Sequence, residues 1–208
     1  MQLLRQPGGL LGAIPVFSSP WQVSAEGEVP RRAQGATQDV IRRDGDVVIR
    51  RRVSLWEPQP AKNALLMNVY RYWEALRPDG MLPKRSSFDL DKLRPVMGMT
   101  TLVDVEAEDP LDYQYRLFGS NVPLSKNISN LRVRELESAA YRDSLVKDYH
   151  SAKMLGVPAY HEIVACLDWR RHSYARLVLP FSKDGRTVNQ LMVCSAHEKF
   201  ADLLKLLD

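Results

Sequence analysis

The alternation of apolar and polar positions changes period several times along this chain. After Asn63, the residues Leu66, Val69, Trp73 and Leu76 recur at three- and four-residue steps until Arg77-Pro78-Asp79-Gly80 stops them, which predicts an amphipathic helix. Ser87 or Asp89 can cap a shorter helix whose Leu90, Leu93 and Met97 share a face and which Gly98 ends. The period then drops to two. Residues 99 to 106 and 112 to 118 alternate as strands around Glu108-Asp109-Pro110 and predict an antiparallel hairpin. From Gly119 to Leu136, Ser, Asn and Leu are mixed in a way that suits a connector of one-turn helices. A long helix follows over Ser138 to Leu155, with Tyr141, Leu145, Tyr149 and Ala152 on one face and Gly156 at its end. Three strands are predicted at Ala159 to Leu167, His172 to Phe181 and Thr187 to Ala196, the last two joined through Asp184-Gly185. A terminal helix carries Phe200, Leu203, Leu204 and Leu207 on one stripe. Two strands, intervening helices and three more strands predict an α+β domain: a five-stranded antiparallel sheet with helices on one face.

The first 60 residues differ from the rest. Half of the chain's Gly (11) and Pro (13) residues fall there, a density at which little apolar surface can be buried against chain entropy. The expected division is an amino-terminal mobile arm, 1–60, and a folded domain with flanking helices, 61–208. Within the arm, residues 44–56 hold Val47-Val48-Ile49 and Val53-Ser54-Leu55-Trp56 around Arg50-Arg51-Arg52, a pattern that can pair as a short hairpin or clip onto the domain.

Composition narrows the function. Against 25 Asp and Glu stand 29 Lys and Arg, a net charge of +4 that gives no mandate for nucleic acid. The Arg50, Arg51, Arg52 cluster is the candidate anion site, yet a charge run is ordinarily a solvated face, and nucleic acid or a membrane surface is not the expected partner. The longest apolar run, Leu10 to Phe17, contains Pro15 and is far shorter than the ~20 residues that span a bilayer. Cys166 and Cys194 are too few for a disulfide framework or a four-ligand zinc site, which fits a cytoplasmic protein with reduced thiols.

Catalytic signatures are weak. Ser144-Leu145-Val146-Lys147 matches Ser-x-x-Lys without companion motifs, and no Gly-x-Ser-x-Gly elbow or phosphate-cradling loop is present. With a turn at Asp168 to Arg171, Leu167 faces His172 and His161 faces Val178, which separates the two histidines and argues against a shared metal. His150 lies one residue past the apolar helix face, and neither a haem nor a flavin signature appears. No enzyme is expected. On that register Glu162, Val164 and Cys166 share a face with Leu177 and Leu179, while Tyr113, Tyr115 and Leu117 offer a second wall. Together they are the candidate ligand pocket, with simple core packing as the competing reading.

Particular residues also resemble a known family. Tyr70-Arg71-Tyr72-Trp73, Leu82-Pro83-Lys84-Arg85-Ser86, then Asp91, Leu93, Arg94-Pro95 and Met97 are similar to the opening of the bacterial single-PAS-domain family called PAS_5. Tyr115-Arg116-Leu117-Phe118-Gly119 resembles its second strand. Leu179-Pro180-Phe181-Ser182-Lys183-Asp184-Gly185, followed by Val188, resembles its late hairpin. The family commonly carries Arg-Asp-Leu-Thr-Gly where this chain has Lys126-Asn127-Ile128-Ser129-Asn130, and the charge missing at Asn127 removes a handle for an ion or ligand in that loop. The resemblance implies a PAS-like five-stranded sheet and a non-catalytic sensory or regulatory module in bacterial signalling, which binds an unidentified small molecule, a signalling protein, or both. Two other functions compete: an electrostatic adaptor acting through the basic arm, and a small hydrolase or thiol enzyme. The terminal helix, with Phe200, Leu203, Leu204 and Leu207, is expected either to fold back on its own sheet or to form a two-fold homodimer.

Overall fold

The computed structural model describes residues 42–45, 47–54, 63–122, 126–167 and 169–197. Seven strands form one sheet: β1 (Arg42–Asp44), β2 (Val47–Ser54), β3 (Thr100–Asp104), β4 (Gln114–Phe118), β5 (Ala159–Leu167), β6 (Arg170–Ser182) and β7 (Val188–His197). Their spatial order is β1-β2-β5-β6-β7-β3-β4, and every neighbouring pair is antiparallel. Among the described residues three α-helices accompany them: α1 (Ala64–Ala75), α2 (Leu90–Leu93) and α3 (Ala139–Leu155). No described helix is long and apolar enough to cross a membrane.

The five strands expected from the sequence are all present, and two more extend the sheet. Residues 42–54, which Gly and Pro density places in the arm, form the β1–β2 hairpin, and β2 pairs with β5 along its length. Val47, Val48 and Ile49 are buried. A short apolar run inside a punctuated segment is diluted by any average over 60 residues, but three adjacent β-branched side chains suffice for a strand when a sheet edge is available. Phe200, Leu203, Leu204 and Leu207 lie outside the described residues.

Local chemistry accounts for the helix ends. Asn63 caps α1 by accepting a hydrogen bond from the Leu66 amide at 3.1 Å, and Asp89 caps α2 through the Asp91 amide at 3.0 Å. The expected second helix is reduced to one α turn followed by a 3-10 stretch, Arg94–Met99, because Pro95 has no amide to continue the ladder. Ser138 caps α3, and Gly156 ends it in the left-handed conformation at φ +63°. Gly119 permits a close crossing, since a Cβ there would lie 2.3 Å from the Gly98 carbonyl oxygen.

The β5–β6 turn is tighter than the sequence suggests. Leu167 pairs with Arg170 instead of His172, so His161 faces Arg176 rather than Val178. Trp169 makes this possible by adopting φ +61°, a state that few bulky residues take up and that turn statistics do not anticipate for tryptophan.

Residues 174–182 of β6 are buried without interruption, so the sheet is covered on both sides. On one side Tyr174, Arg176 and Val178 face α3, through Tyr141, Asp148 and Tyr149. On the other side α1 and the segment after it cover Leu177, Leu179 and Phe181. Trp73 donates its indole N–H to the Pro180 carbonyl at 3.0 Å, and Phe88 meets Phe181 edge-on at 4.8 Å.

Candidate functional site

At the centre of the α3 face lies a buried charged cluster. The β5–β6 register sets His161 directly opposite Arg176, and α3 lowers Asp148 onto both. The Arg176 guanidinium is hydrogen-bonded to the Asp148 carboxylate, approaches His161 Nδ1 at 3.3–3.4 Å, and sits 5.8 Å from the centre of the Tyr149 ring. His161 Nε2 is 3.8 Å from Asp148 Oδ1. Asp148, His161 and Arg176 are each at most 2% exposed. Burial alone would lower the Arg176 pKa, but the Asp148 carboxylate and the surrounding phenols outweigh it and hold the guanidinium charged. Ions this deep persist only when paired and hydrogen-bonded.

The polar groups are incompletely matched. Arg176 Nη1 and Ser144 Oγ are buried without a hydrogen-bond partner among the described residues, and Ser144 stands one helical turn before Asp148 on the same side of α3. Each is a buried donor that a carboxylate, carbonyl or water oxygen would satisfy. Aromatic residues surround them. Burial drives Tyr115, Tyr149 and Tyr174 upward from the ordinary phenol pKa, with Tyr115 and Tyr149 hydrogen-bonded to each other. Tyr113, whose hydroxyl meets His150 Nδ1 at 3.0 Å, is pushed up to about 12 by burial and by the negative charge of Asp109.

The residues singled out from the sequence divide between the two sides of the sheet. Tyr113 is buried beside α3 through His150, and Tyr115 is buried beneath α3 through Tyr149. Glu162, Val164, Cys166, Leu177 and Leu179 share one face, as the alternation implied, but it is the face away from α3. All of these five are buried except Cys166, which is half-buried. A bulge between Leu102 and Val103 turns Leu117 away from Tyr115 and leaves it exposed. Arg50, Arg51 and Arg52 belong to β2, where Arg51 is the register partner of Glu162 and Arg52 that of His161. Sequence reasoning did not single out Asp148 or Arg176. The available signal was a charge of opposite sign inside each of two apolar patterns, Asp148 on the Tyr141–Leu145–Tyr149–Ala152 face and Arg176 amid the alternation of β6.

The other candidate chemistries remain apart. Ser144 is buried while Lys147 is exposed, and Ser144 Oγ makes no hydrogen bond to His161, so neither a Ser-Lys pair nor a Ser-His-Asp relay is assembled. Burial pushes the Cys194 thiol up to about 11, and Thr100 Oγ1 lies 3.4 Å from its sulfur. His172 pairs with Ala165, four residues along β5 from His161, and among the described residues no three His, Cys, Asp or Glu gather as metal ligands. A cleft of about 310 Å³ opens near the ends of β3, β6 and β7. Its Asp104 is satisfied by Arg116 and Gln190, and its Glu106 by Lys183.

The order β4-β3-β7-β6-β5 places the five core strands second, first, fifth, fourth and third, which defines a PAS-like α+β domain. Among solved structures, an RNA-binding Light-Oxygen-Voltage receptor is similar to this chain at 12% identity, with a TM-score of 0.39 over 75% of this chain and 42% of that one. The chain therefore matches less than half of that receptor's length. No family model matches the chain, and no curated protein matches it.

Proposed function

We propose that this PAS-like domain is a non-catalytic sensory or regulatory module of bacterial signalling, whose input is read where α3 lies on the sheet. The observation that carries the reading is the Asp148–Arg176–His161 cluster with the unmatched donors of Arg176 and Ser144 beside it. In this reading a small molecule bearing a carboxylate or carbonyl oxygen engages those donors, competes with Asp148 for the guanidinium, and so shifts α3 relative to β5 and β6. Helix movement over a rigid sheet can then alter the surface offered to a protein partner. Arg176 and Asp148 would gate the helix, Ser144 would orient the ligand, and the tyrosines would shape its apolar part.

Native mass spectrometry of the protein purified from its own host tests this. The expected result is a retained small-molecule mass that disappears in Ser144→Leu, a change that removes the buried hydroxyl and adds apolar bulk one helical turn before Asp148, while the far-ultraviolet spectrum stays unchanged. A retained mass indifferent to Ser144→Leu would place the ligand elsewhere. A protein that retains nothing, and whose α3 amides exchange at the same rate whatever is added, would overturn the reading.

A further inference from the structure

The tip of the β5–β6 hairpin combines three features. Trp169 is fully exposed and makes no ring contact or hydrogen bond with a described residue. It occupies φ +61°, where a hairpin of this length ordinarily places Gly, Asn or Asp. Arg170 and Arg171 follow it, both exposed. An indole in water and a bulky residue in the left-handed region each oppose stability, so Trp169 weakens the free protein twice. No described residue covers the ring, which leaves it available to a surface outside the chain.

From this geometry we propose that the Trp169–Arg171 tip is a contact for an anionic lipid bilayer surface. Tryptophan partitions to the level of the lipid headgroups, with its ring among the upper acyl segments and its N–H in the wet layer. The residue rise along a strand sets Arg170 and Arg171 roughly 3 to 7 Å behind the ring, at the depth of the phosphates. Each arginine near such a surface contributes about a fivefold gain in binding. The tip is convex and carries one ring, whereas proteins that hold single-stranded nucleic acid offer grooves with successive aromatic platforms. A bilayer is therefore the better-matched occupant. Contact at the tip leaves both covered faces of the sheet undisturbed, so the attachment is independent of any ligand beneath α3.

The test uses the full chain and cosedimentation with vesicles of phosphatidylcholine and phosphatidylserine in a roughly 7:3 ratio, compared with phosphatidylcholine alone. Binding to the mixed vesicles is expected, with a blue shift of indole emission. Trp169→Gly should remove the shift and weaken binding at least about fivefold while melting no lower than the wild type, because glycine relieves the backbone. Arg170→Glu should weaken binding by a similar factor or more. Binding unchanged in Trp169→Gly would overturn the proposal, as would a wild-type protein that ignores both vesicles. Loss of binding to a single-stranded RNA oligonucleotide in Trp169→Gly, with no vesicle binding in either protein, would overturn it in favour of nucleic acid.

Discussion

Replacing Asp148 with Asn keeps the shape of the side chain and takes its charge from beneath α3. Asp148 is 2% exposed and Arg176 1%, so water cannot take the place of the lost carboxylate without opening the helix from the sheet. Arg176 Nη1 already lacks a partner, and the substitution removes the charged acceptor of Nη2 as well, leaving His161 Nδ1 at 3.3–3.4 Å as the remaining acceptor. Breaking one side of a buried pair costs about 3–5 kcal/mol. Because His161 and the new amide oxygen stay within reach, the lower end applies, about 3 kcal/mol, which for a domain of this size lowers Tm by roughly 6 to 12 °C. Urea unfolding followed by far-ultraviolet circular dichroism, with thermal melts alongside, measures both quantities. The double variant Asp148→Leu, Arg176→Met replaces the pair with apolar volume and should recover most of the loss. A single variant within 1 kcal/mol of wild type, or a double variant no more stable than the single, would refute the view that the charge of Arg176 is held in place by Asp148.

Deleting the chain up to Gln59 removes β2 and with it the buried Val47, Val48 and Ile49, each worth about 1.5–3 kcal/mol of burial, and bares the edge of β5. The shortened chain should melt well below the full one and form oligomers in a sedimentation velocity run, and equal melting temperatures would show that the β2–β5 pairing adds nothing. An alkaline titration probes the tyrosines. Their folded pKa values are raised, from 10.0 to about 12 for Tyr113 and further for the more deeply buried Tyr115 and Tyr174. The stability this represents is fully present below pH 10 and is lost as pH rises through the folded values. Phenolate absorbance should therefore show several of the eight tyrosines ionising only together with unfolding, above about pH 11. Complete ionisation near pH 10 in a protein still folded by circular dichroism would contradict the burial of these rings.

Much of the architecture is visible in the sequence because its signals are local. Asn63, Asp89 and Ser138 announce helix starts by the same cap chemistry that the structure uses, and α3 ends at Gly156 as its pattern requires. The β1–β2 hairpin is harder to see, since its apolar run is three residues long and sits among turn formers. What the sequence conceals is which side of the sheet α3 covers. In a strand packed on one side, alternation marks the covered face; β6 is buried on both, from Tyr174 to Ser182, and its residues are almost uniformly apolar. Tyr113 and Tyr115 could therefore be grouped with Glu162 and Leu177 on sequence grounds, although the sheet stands between them.

The site itself depends on register, a finer property than face. Because side chains alternate with period two, the two-residue difference between the expected and observed β5–β6 turn leaves every residue on the same side. Glu162, Val164 and Cys166 keep the company of Leu177 and Leu179 in either register. What changes is the identity of each partner, and His161 moves from opposite Val178 to opposite Arg176. With Val178 as partner, His161 would be an isolated polar residue and Asp148 would lack a nearby cation held by the sheet; with Arg176 as partner, the three become one charged cluster. The tight turn that goes with this register places Trp169 at a positive φ. Turn statistics based on glycine and asparagine give no warning of it, and a tryptophan in that state has to be held there by the pairing of β5 with β6 on either side.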